Sequence, residues 1–133
     1  MDNKQIIFKD EEHKVAFNKM IMDYMGKGKK VDCYVKPLFY LLTLSADTRR
    51  NFNSLFDIDK SCIKPDGMKG GWLTSSTKKL CQLGFNLFNG YTKDGRKKCS
   101  EEYSPYYMFA DEWAPYFVQA IKLRYDSYFR TRL

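Results

Sequence analysis

The sequence predicts an all-α fold, and three observations support this prediction. Apolar residues recur at three- and four-residue intervals in several stretches, which is the spacing of one face of an α-helix. Residues that favour helix starts and helix ends flank these stretches. The chain has 133 residues, which is the length of one domain. We therefore expect a single α-helical domain over residues 1–133, built from about five helices.

The first predicted helix follows Asp10, which suits an N-cap, and ends at Gly26, which suits the left-handed residue after a C-cap. Its apolar face is formed by His13, Ala16, Phe17, Met20, Ile21, Tyr24 and Met25. His13 is the only histidine of the chain. Because it lies on this face near the helix start, we interpret it as a packing or capping residue rather than a catalytic base.

The second predicted helix starts near Pro37 and is apolar on almost all sides, so we place it at the centre of the fold. A third helix is capped by Ser45 or Asp47. It should bury Phe52, Leu55 and Phe56. The interval 57–73 contains a proline and several glycines, and it is predicted to be a connecting loop.

The fourth predicted helix is capped by Thr74 or Ser75 and ends at Asn89-Gly90. Its apolar face is formed by Leu80, Leu83, Gly84, Leu87 and Phe88. A glycine inside a helix is unfavourable by about 1 kcal/mol relative to alanine. Gly84 therefore indicates a close approach by another helix.

The last predicted helix starts near Asp111 or Glu112, with Pro115 in its first turn. Its buried face should contain Trp113, Tyr116, Phe117, Ala120, Ile121, Arg124 and Tyr125. A second long loop precedes it and includes Asp94-Gly95, a pair typical of tight turns. A short hairpin at 91–104 is thus an alternative to a plain loop.

The sequence does not predict a metal site, a cofactor or a membrane span. The cysteines are scattered, with no CxxC pair, and only one histidine is present, whereas zinc sites need clustered ligands. No apolar run approaches the roughly 18 residues that cross a membrane. No secretory apolar segment is found near the start, so we expect reduced thiols and a cytoplasmic location. The cysteines are Cys33, Cys62, Cys81 and Cys99.

The start of the fourth helix is a candidate anion site. Free N–H groups at a helix start, with hydroxyl groups beside them, can hold a phosphate or a carboxylate. The hydroxyl residues concerned are Thr74, Ser75 and Ser76. The stretch lacks the glycine and lysine spacing of a phosphate-binding loop. An ordinary capped helix is the alternative.

The formal net charge of +7 favours a partner with a negative surface, although solubility explains such a charge equally well. If the basic segments converge with nearby aromatic residues, they form a groove of the kind that binds single-stranded nucleic acid. The candidate binding residues are Trp72, Lys78, Lys79, Tyr91, Lys93, Arg96, Lys97, Lys98 and Tyr103. Tyr106 and Tyr107 would extend an aromatic interface if they lie with these on the surface.

Four segments resemble a family of small uncharacterised proteins encoded by Firmicutes, their phages and their mobile elements. The segments are EEHKVAF, YLLTLSADTRRNF, IKPDGMKGGWLTSSTKKLCQLGFNLFNGY and the final AIKLRY. The resemblance implies no activity or catalytic residue. It does imply a phage or mobile-element context, in which compact proteins without enzyme signatures often inhibit host proteins, including defence complexes.

Two hypotheses follow. In the first, the protein is not an enzyme and inhibits a host protein or nucleoprotein complex, in the manner of an anti-CRISPR protein, through a basic and aromatic surface. In the second, it binds single-stranded DNA or RNA directly, with the segment from Lys93 to Lys98 contacting phosphates.

Overall fold

The apolar helix that begins near Pro37 lies at the centre of the computed structural model, as predicted; the model describes residues 6–92 and 101–129. Its helices are α1 (Glu11–Gly26), α2 (Val35–Leu42), α3 (Ala46–Arg50), α4 (Phe52–Leu55), α5 (Ser75–Asn89), α6 (Pro105–Met108), α7 (Ala114–Arg124) and α8 (Asp126–Phe129). Short 3₁₀ helices span Pro65–Lys69 and Glu101–Tyr103. The all-α prediction is confirmed.

Helix α2 has almost no solvent-exposed face, as its sequence predicts. Of its eight residues, only Lys36 is not buried. The helix packs against α1, α5 and α7, and the buried apolar side chains form one continuous core around it. A β-carbon placed on Gly84 of α5 would lie 3.1 Å from Leu38 Cδ1, so the close helix approach predicted at Gly84 is confirmed.

The predicted caps of two further helices are confirmed. Ser45 accepts a hydrogen bond from the Thr48 N–H at the start of α3. At the end of α5, Gly90 has the left-handed φ of 80° that a side chain would disfavour.

Some predictions about the helices are wrong. The third predicted helix is two short helices, because Asn51 breaks the helix between Arg50 and Phe52. Helix α1 continues through Gly26, and the left-handed residue is Gly28, with φ 76°. In the last helix, Leu123 is buried whereas the predicted core residue Tyr125 is exposed.

The interval predicted as a loop contains a small antiparallel hairpin. Strands β1 (Phe56–Asp57) and β2 (Cys62–Ile63) pair with Phe56 opposite Ile63. The hairpin proposed at 91–104 falls largely on residues 93–100, which lie outside the described residues.

The N-terminal segment from Ile6 to Lys9 lies against α2 and α7 and satisfies polar groups there. The N–H of Ile7 donates to Gln119 Oε1 at 2.9 Å, and the hydroxyl of Tyr40 donates to the Ile7 carbonyl at 2.5 Å. Phe8 packs with its ring against those of His13 and Tyr40. The buried tyrosine of α2 thereby obtains a partner that its apolar surroundings could not supply.

His13 joins α1, α2 and the N-terminal segment. It is fully buried, its Nε2 donates to the Tyr40 carbonyl at 2.8 Å, and its Nδ1 accepts from the Lys9 N–H at 3.2 Å. The backbone N–H of His13 donates to the side chain of the N-cap residue Asp10. A proton on Nδ1 would face the Lys9 donor. Burial is the main cause that lowers the pKa of His13 from 6.5 to about 4, and its packing role is confirmed.

Acidification should destabilise the protein through His13. The folded-state pKa lies below the unfolded value, so the unfolded chain takes up the proton first, and stability present above pH 6.5 is lost as pH falls towards 4. From pH 7 to pH 4.5, we expect a loss of roughly 2–3 kcal/mol from this residue. This loss is measured by urea unfolding of the wild-type protein and of the variant His13→Gln at both pH values. The expected result is a smaller pH dependence in the variant; equal slopes would contradict this assignment.

Candidate functional site

The first turn of α5 is closed by its own side chains. Thr74 Oγ1 accepts from the Thr77 N–H at 3.2 Å, and Thr77 Oγ1 accepts from the Thr74 N–H at 2.7 Å. This reciprocal capping box satisfies two backbone donors at the helix start. The capping role of Thr74 is confirmed, while Ser75 is exposed and lies outside the box.

The chain supplies its own anion at this helix start. Ser76 Oγ donates to Asp111 Oδ2 at 2.8 Å, and Lys79 Nζ lies 3.7 Å from the same oxygen. The Asp111 side chain is almost completely buried. We name Ser76, Lys79 and Asp111 the Lys79 clasp. An internal carboxylate is therefore the partner of Ser76, one of the three hydroxyl residues of the predicted anion site.

Lys79 is not available to a partner, contrary to the prediction. It is 8% exposed, its ammonium group donates to the Ala110 carbonyl at 3.1 Å, and it lies 4.5 Å from the centre of the Tyr107 ring. The reason is the long-range pairing with Asp111, which helix periodicity does not reveal. Lys78, the adjacent residue, is half-buried and pairs with Glu102 at 3.3 Å.

The predicted aromatic residues are only partly brought together. Trp72 is half-buried and packs against Gly70, whose added β-carbon would meet the indole ring. Tyr91 and Tyr103 are half-buried at the edge of the core, and Tyr91 shares a cleft with Lys78. The remaining candidates, Lys93, Arg96, Lys97 and Lys98, lie outside the described residues.

The described part of the chain carries little net charge. Residues 6–92 and 101–129 contain 16 of the 23 Lys and Arg residues and 14 of the 16 Asp and Glu residues, a net charge of +2. The other five positive charges come from residues 93–100 and 130–133. A basic surface on the described body must therefore be local.

One such local surface is a groove between the second half of α1 and the segment that leads to α2. Its cavity measures about 370 Å³, and an apolar floor meets a rim of lysines. We name it the lysine groove. The floor consists of Phe17, Ile21, Met25 and Val31, and the rim consists of Lys29, Lys30 and Lys36. Groove surfaces of this kind accommodate an apolar group beside a negative charge.

Next to the lysine groove, the guanidinium group of Arg124 lies between two tyrosine rings. The distances from its central carbon to the ring centres are 4.1 Å for Tyr34 and 4.6 Å for Tyr125. Arg124 Nε also donates to the carbonyl of Leu87, in the last turn of α5. We name these three side chains the tyrosine–arginine stack.

A small cavity of about 190 Å³ links the two features, since it shares Val31 and Lys36 with the lysine groove and reaches Leu123 and Asp126 beside the stack. Tyr128 and Phe129 follow on α8 and are 84% and 54% exposed. The sequence predicts an aromatic interface at a different place, around Trp72, Tyr91 and Tyr103. The signal that could have found the stack is the GKGKK loop followed closely by Tyr34.

Residues 6–92 and 101–129 contain no set of three or more His, Cys, Asp or Glu side chains placed to hold a metal ion. Burial raises the pKa of the Cys81 thiol to about 12, while Cys33 and Cys62 are exposed. Within the same ranges, no helix has the length and apolar character needed to cross a membrane.

A family model described as a family of unknown function, DUF6075, matches residues 3–133. The chain belongs to this family. The match confirms the resemblance to a family of uncharacterised proteins that four segments of the sequence indicate. Neither the comparison with curated proteins nor the comparison with solved structures gives a match for this DUF6075 chain.

The Lys79 clasp should be structural, so substitutions of Lys79 and of its neighbour Lys78 should differ in their effect on stability. Lys79→Met leaves the buried carboxylate of Asp111 without a counter-charge, so the free energy of unfolding should fall by roughly 3 kcal/mol or more. Lys78→Met removes a partly solvated pair and should lower the free energy of unfolding by about 1 kcal/mol or less. Urea unfolding of the two variants measures both losses. The double variant Lys79→Met, Asp111→Asn should recover part of the stability that Lys79→Met loses. Equal losses for the two single variants would argue against the clasp.

Proposed function

We propose that this DUF6075 protein is a non-catalytic binding protein that docks on an acidic surface of a host factor and inhibits it. The docking face comprises the lysine groove and the tyrosine–arginine stack. The observation that carries the proposal is an apolar floor bordered by cations, beside an arginine held between two exposed tyrosines. A basic and aromatic surface is thus retained from the sequence hypothesis, at a different place on the molecule.

The lysine groove supports a specific partner chemistry. Met25 and Val31 can contact an apolar side chain, and burial of such a group is favourable in proportion to its area. Lys29 and Lys30 border the same cavity and would attract carboxylates that flank this side chain. The partner that fits best is a protein segment with an apolar residue between acidic ones.

The tyrosine–arginine stack supports the same partner. Arginine recognises carboxylates with a planar group of donors, and a group that is already oriented loses less entropy on binding. The bond from Arg124 to the Leu87 carbonyl and the contacts with Tyr34 and Tyr125 provide that orientation. Tyrosine and arginine are also the residue types that most often dominate binding energy at protein interfaces.

Structural use of the reactive side chains supports a non-catalytic role. The ring nitrogens of His13 are engaged with the Tyr40 carbonyl and the Lys9 N–H inside the core. Asp111 is held by Ser76 and Lys79, and Glu102 is held by Lys78 and Gln82. Side chains bound in this way stabilise the fold. The phage or mobile-element origin, the cytoplasmic site of action and the defence-complex target belong to the same proposal and rest on the family resemblance.

Charge reversal in the lysine groove tests this proposal. A displayed library of random peptides should yield binders with an apolar residue next to Asp or Glu. Lys29→Glu with Lys30→Glu should weaken their binding by about tenfold or more, because like charges would then face each other. Lys14→Glu with Lys60→Glu is the control, since these exposed lysines do not line the groove. The proposal fails if selection returns no acidic peptides, or if the two double variants weaken binding equally.

Direct binding of single-stranded nucleic acid is the second candidate function, and the location of the charge favours it. Five of the seven net positive charges come from residues 93–100 and 130–133. A short basic segment next to aromatic side chains is a common arrangement for contacting a phosphate backbone.

The salt dependence of affinity tests this alternative. Binding of labelled single-stranded DNA or RNA should weaken steeply as salt increases, because bound phosphates release counterions. Substituting Lys93, Arg96, Lys97 and Lys98 by alanine should flatten the slope of log affinity against log salt by roughly 0.7 per lost phosphate contact. Fluorescence anisotropy measures both quantities. No detectable binding at about 50 mM salt would exclude this function.

A further inference from the structure

A second cavity, separate from the lysine groove, lies between the 3₁₀ helix Pro65–Lys69 and the first half of α5. Its volume is about 410 Å³, within the size range of small-molecule sites. We name it the Gln82 cleft. The lining residues that matter are Pro65, Met68, Leu73, Lys78, Gln82 and Tyr91. None of them lines the lysine groove.

Gln82 is the unusual residue of this cleft. Its side chain is fully buried, and its Nε2 donates to Glu102 Oε2 at 3.0 Å. This bond fixes the orientation of the amide, because the reverse orientation would place Oε1 against a carboxylate oxygen. Lys78 donates to the other oxygen of Glu102, so both oxygens of that carboxylate are engaged.

Gln82 Oε1 has no hydrogen-bond partner within residues 6–92 and 101–129. Buried acceptors in folded proteins nearly always have a donor, since an unpaired one loses its interaction with water and gains nothing. Because Gln82 lines the cleft, a ligand bound there is a candidate for the missing donor.

The surroundings decide which ligand fits. The charged residues of the lining are Lys78, which pairs with Glu102 at 3.3 Å, and Asp66 and Lys69, which pair with each other at 3.1 Å. Because each of these charges already has an opposite partner, the lining favours an uncharged ligand. A purely apolar molecule would leave Oε1 unpaired. The walls formed by Met68, Leu73 and Tyr91 favour an apolar or aromatic body.

We propose that the Gln82 cleft binds an uncharged aromatic group that carries one N–H donor, such as an indole ring, with the N–H bonded to Gln82 Oε1. The group fills the space between Met68, Leu73 and Tyr91. This site is independent of the docking face proposed above.

Two matched probes test the site in the full chain. Indole has the N–H donor, whereas 1-methylindole has the same ring without it and is the more apolar molecule. Hydrophobic burial alone would therefore rank 1-methylindole first. Titration of the ¹⁵N-labelled protein with each probe, followed by amide chemical shifts, should show indole binding ~3- to 10-fold more tightly, the effect of one hydrogen bond. The largest shifts should occur at Leu73, Gln82 and Tyr91.

Substitutions separate recognition from general effects on the fold. Gln82→Met removes the acceptor at similar volume, so the preference for indole should disappear. Gln119→Met removes a different buried glutamine and should preserve the preference. The proposal is overturned if the two probes bind equally, if 1-methylindole binds more tightly, if the shifts cluster elsewhere, or if no shift appears at millimolar indole.

Discussion

The enclosure of helix α2 is the constraint on which the rest of the structure depends. A helix with apolar residues on nearly every side is stable in water only if other elements cover it, and here α1, α5 and α7 do so. The α5 contact needs a glycine, because Gly84 leaves room for Leu38. The covering elements also supply hydrogen-bond partners for the polar groups of Tyr40. Its hydroxyl donates to the N-terminal segment, and its carbonyl accepts from His13.

The arrangement of charges follows from the need to hold α5 against this core. Its first turns contain two lysines that the sequence presents as a basic pair, but each is bound to an acidic residue of the segment preceding α7. These ion pairs connect the first turns of α5 to Glu102 and Asp111 in that segment. In the described part of the chain, Lys29 and Lys30 of the loop after α1 line a groove instead. The formal charge of +7 is therefore a property of the whole sequence, and it does not represent the surface of the described residues.

The sequence predicts those features that depend on neighbouring residues. Helix ends depend on local backbone chemistry, so their capping residues can be predicted from residue type and position. This holds for Asp10, Ser45, Thr74 and Gly90. The candidate sites depend on contacts between distant residues. Ser76 meets Asp111 across 35 positions, and Arg124 reaches Cys33 across 91. Hydrophobic periodicity does not encode such pairs. For this reason the sequence alone predicts that the lysines of α5 bind a partner, and it does not predict the tyrosine–arginine stack.

Helix α5 contributes to both candidate binding sites, the docking face and the Gln82 cleft, which remain separate. Its last turn provides the Leu87 carbonyl that orients Arg124, and its first half provides Lys78 and Gln82 in the cleft. Both sites thus depend on the position of one helix. That helix is fixed by a capping box, a buried ion pair and the contact of Gly84 with Leu38. Allosteric coupling between two sites requires an element that can adopt two alternative positions. A helix held at its start, middle and end has one position, so we expect two pre-organised sites that do not influence each other.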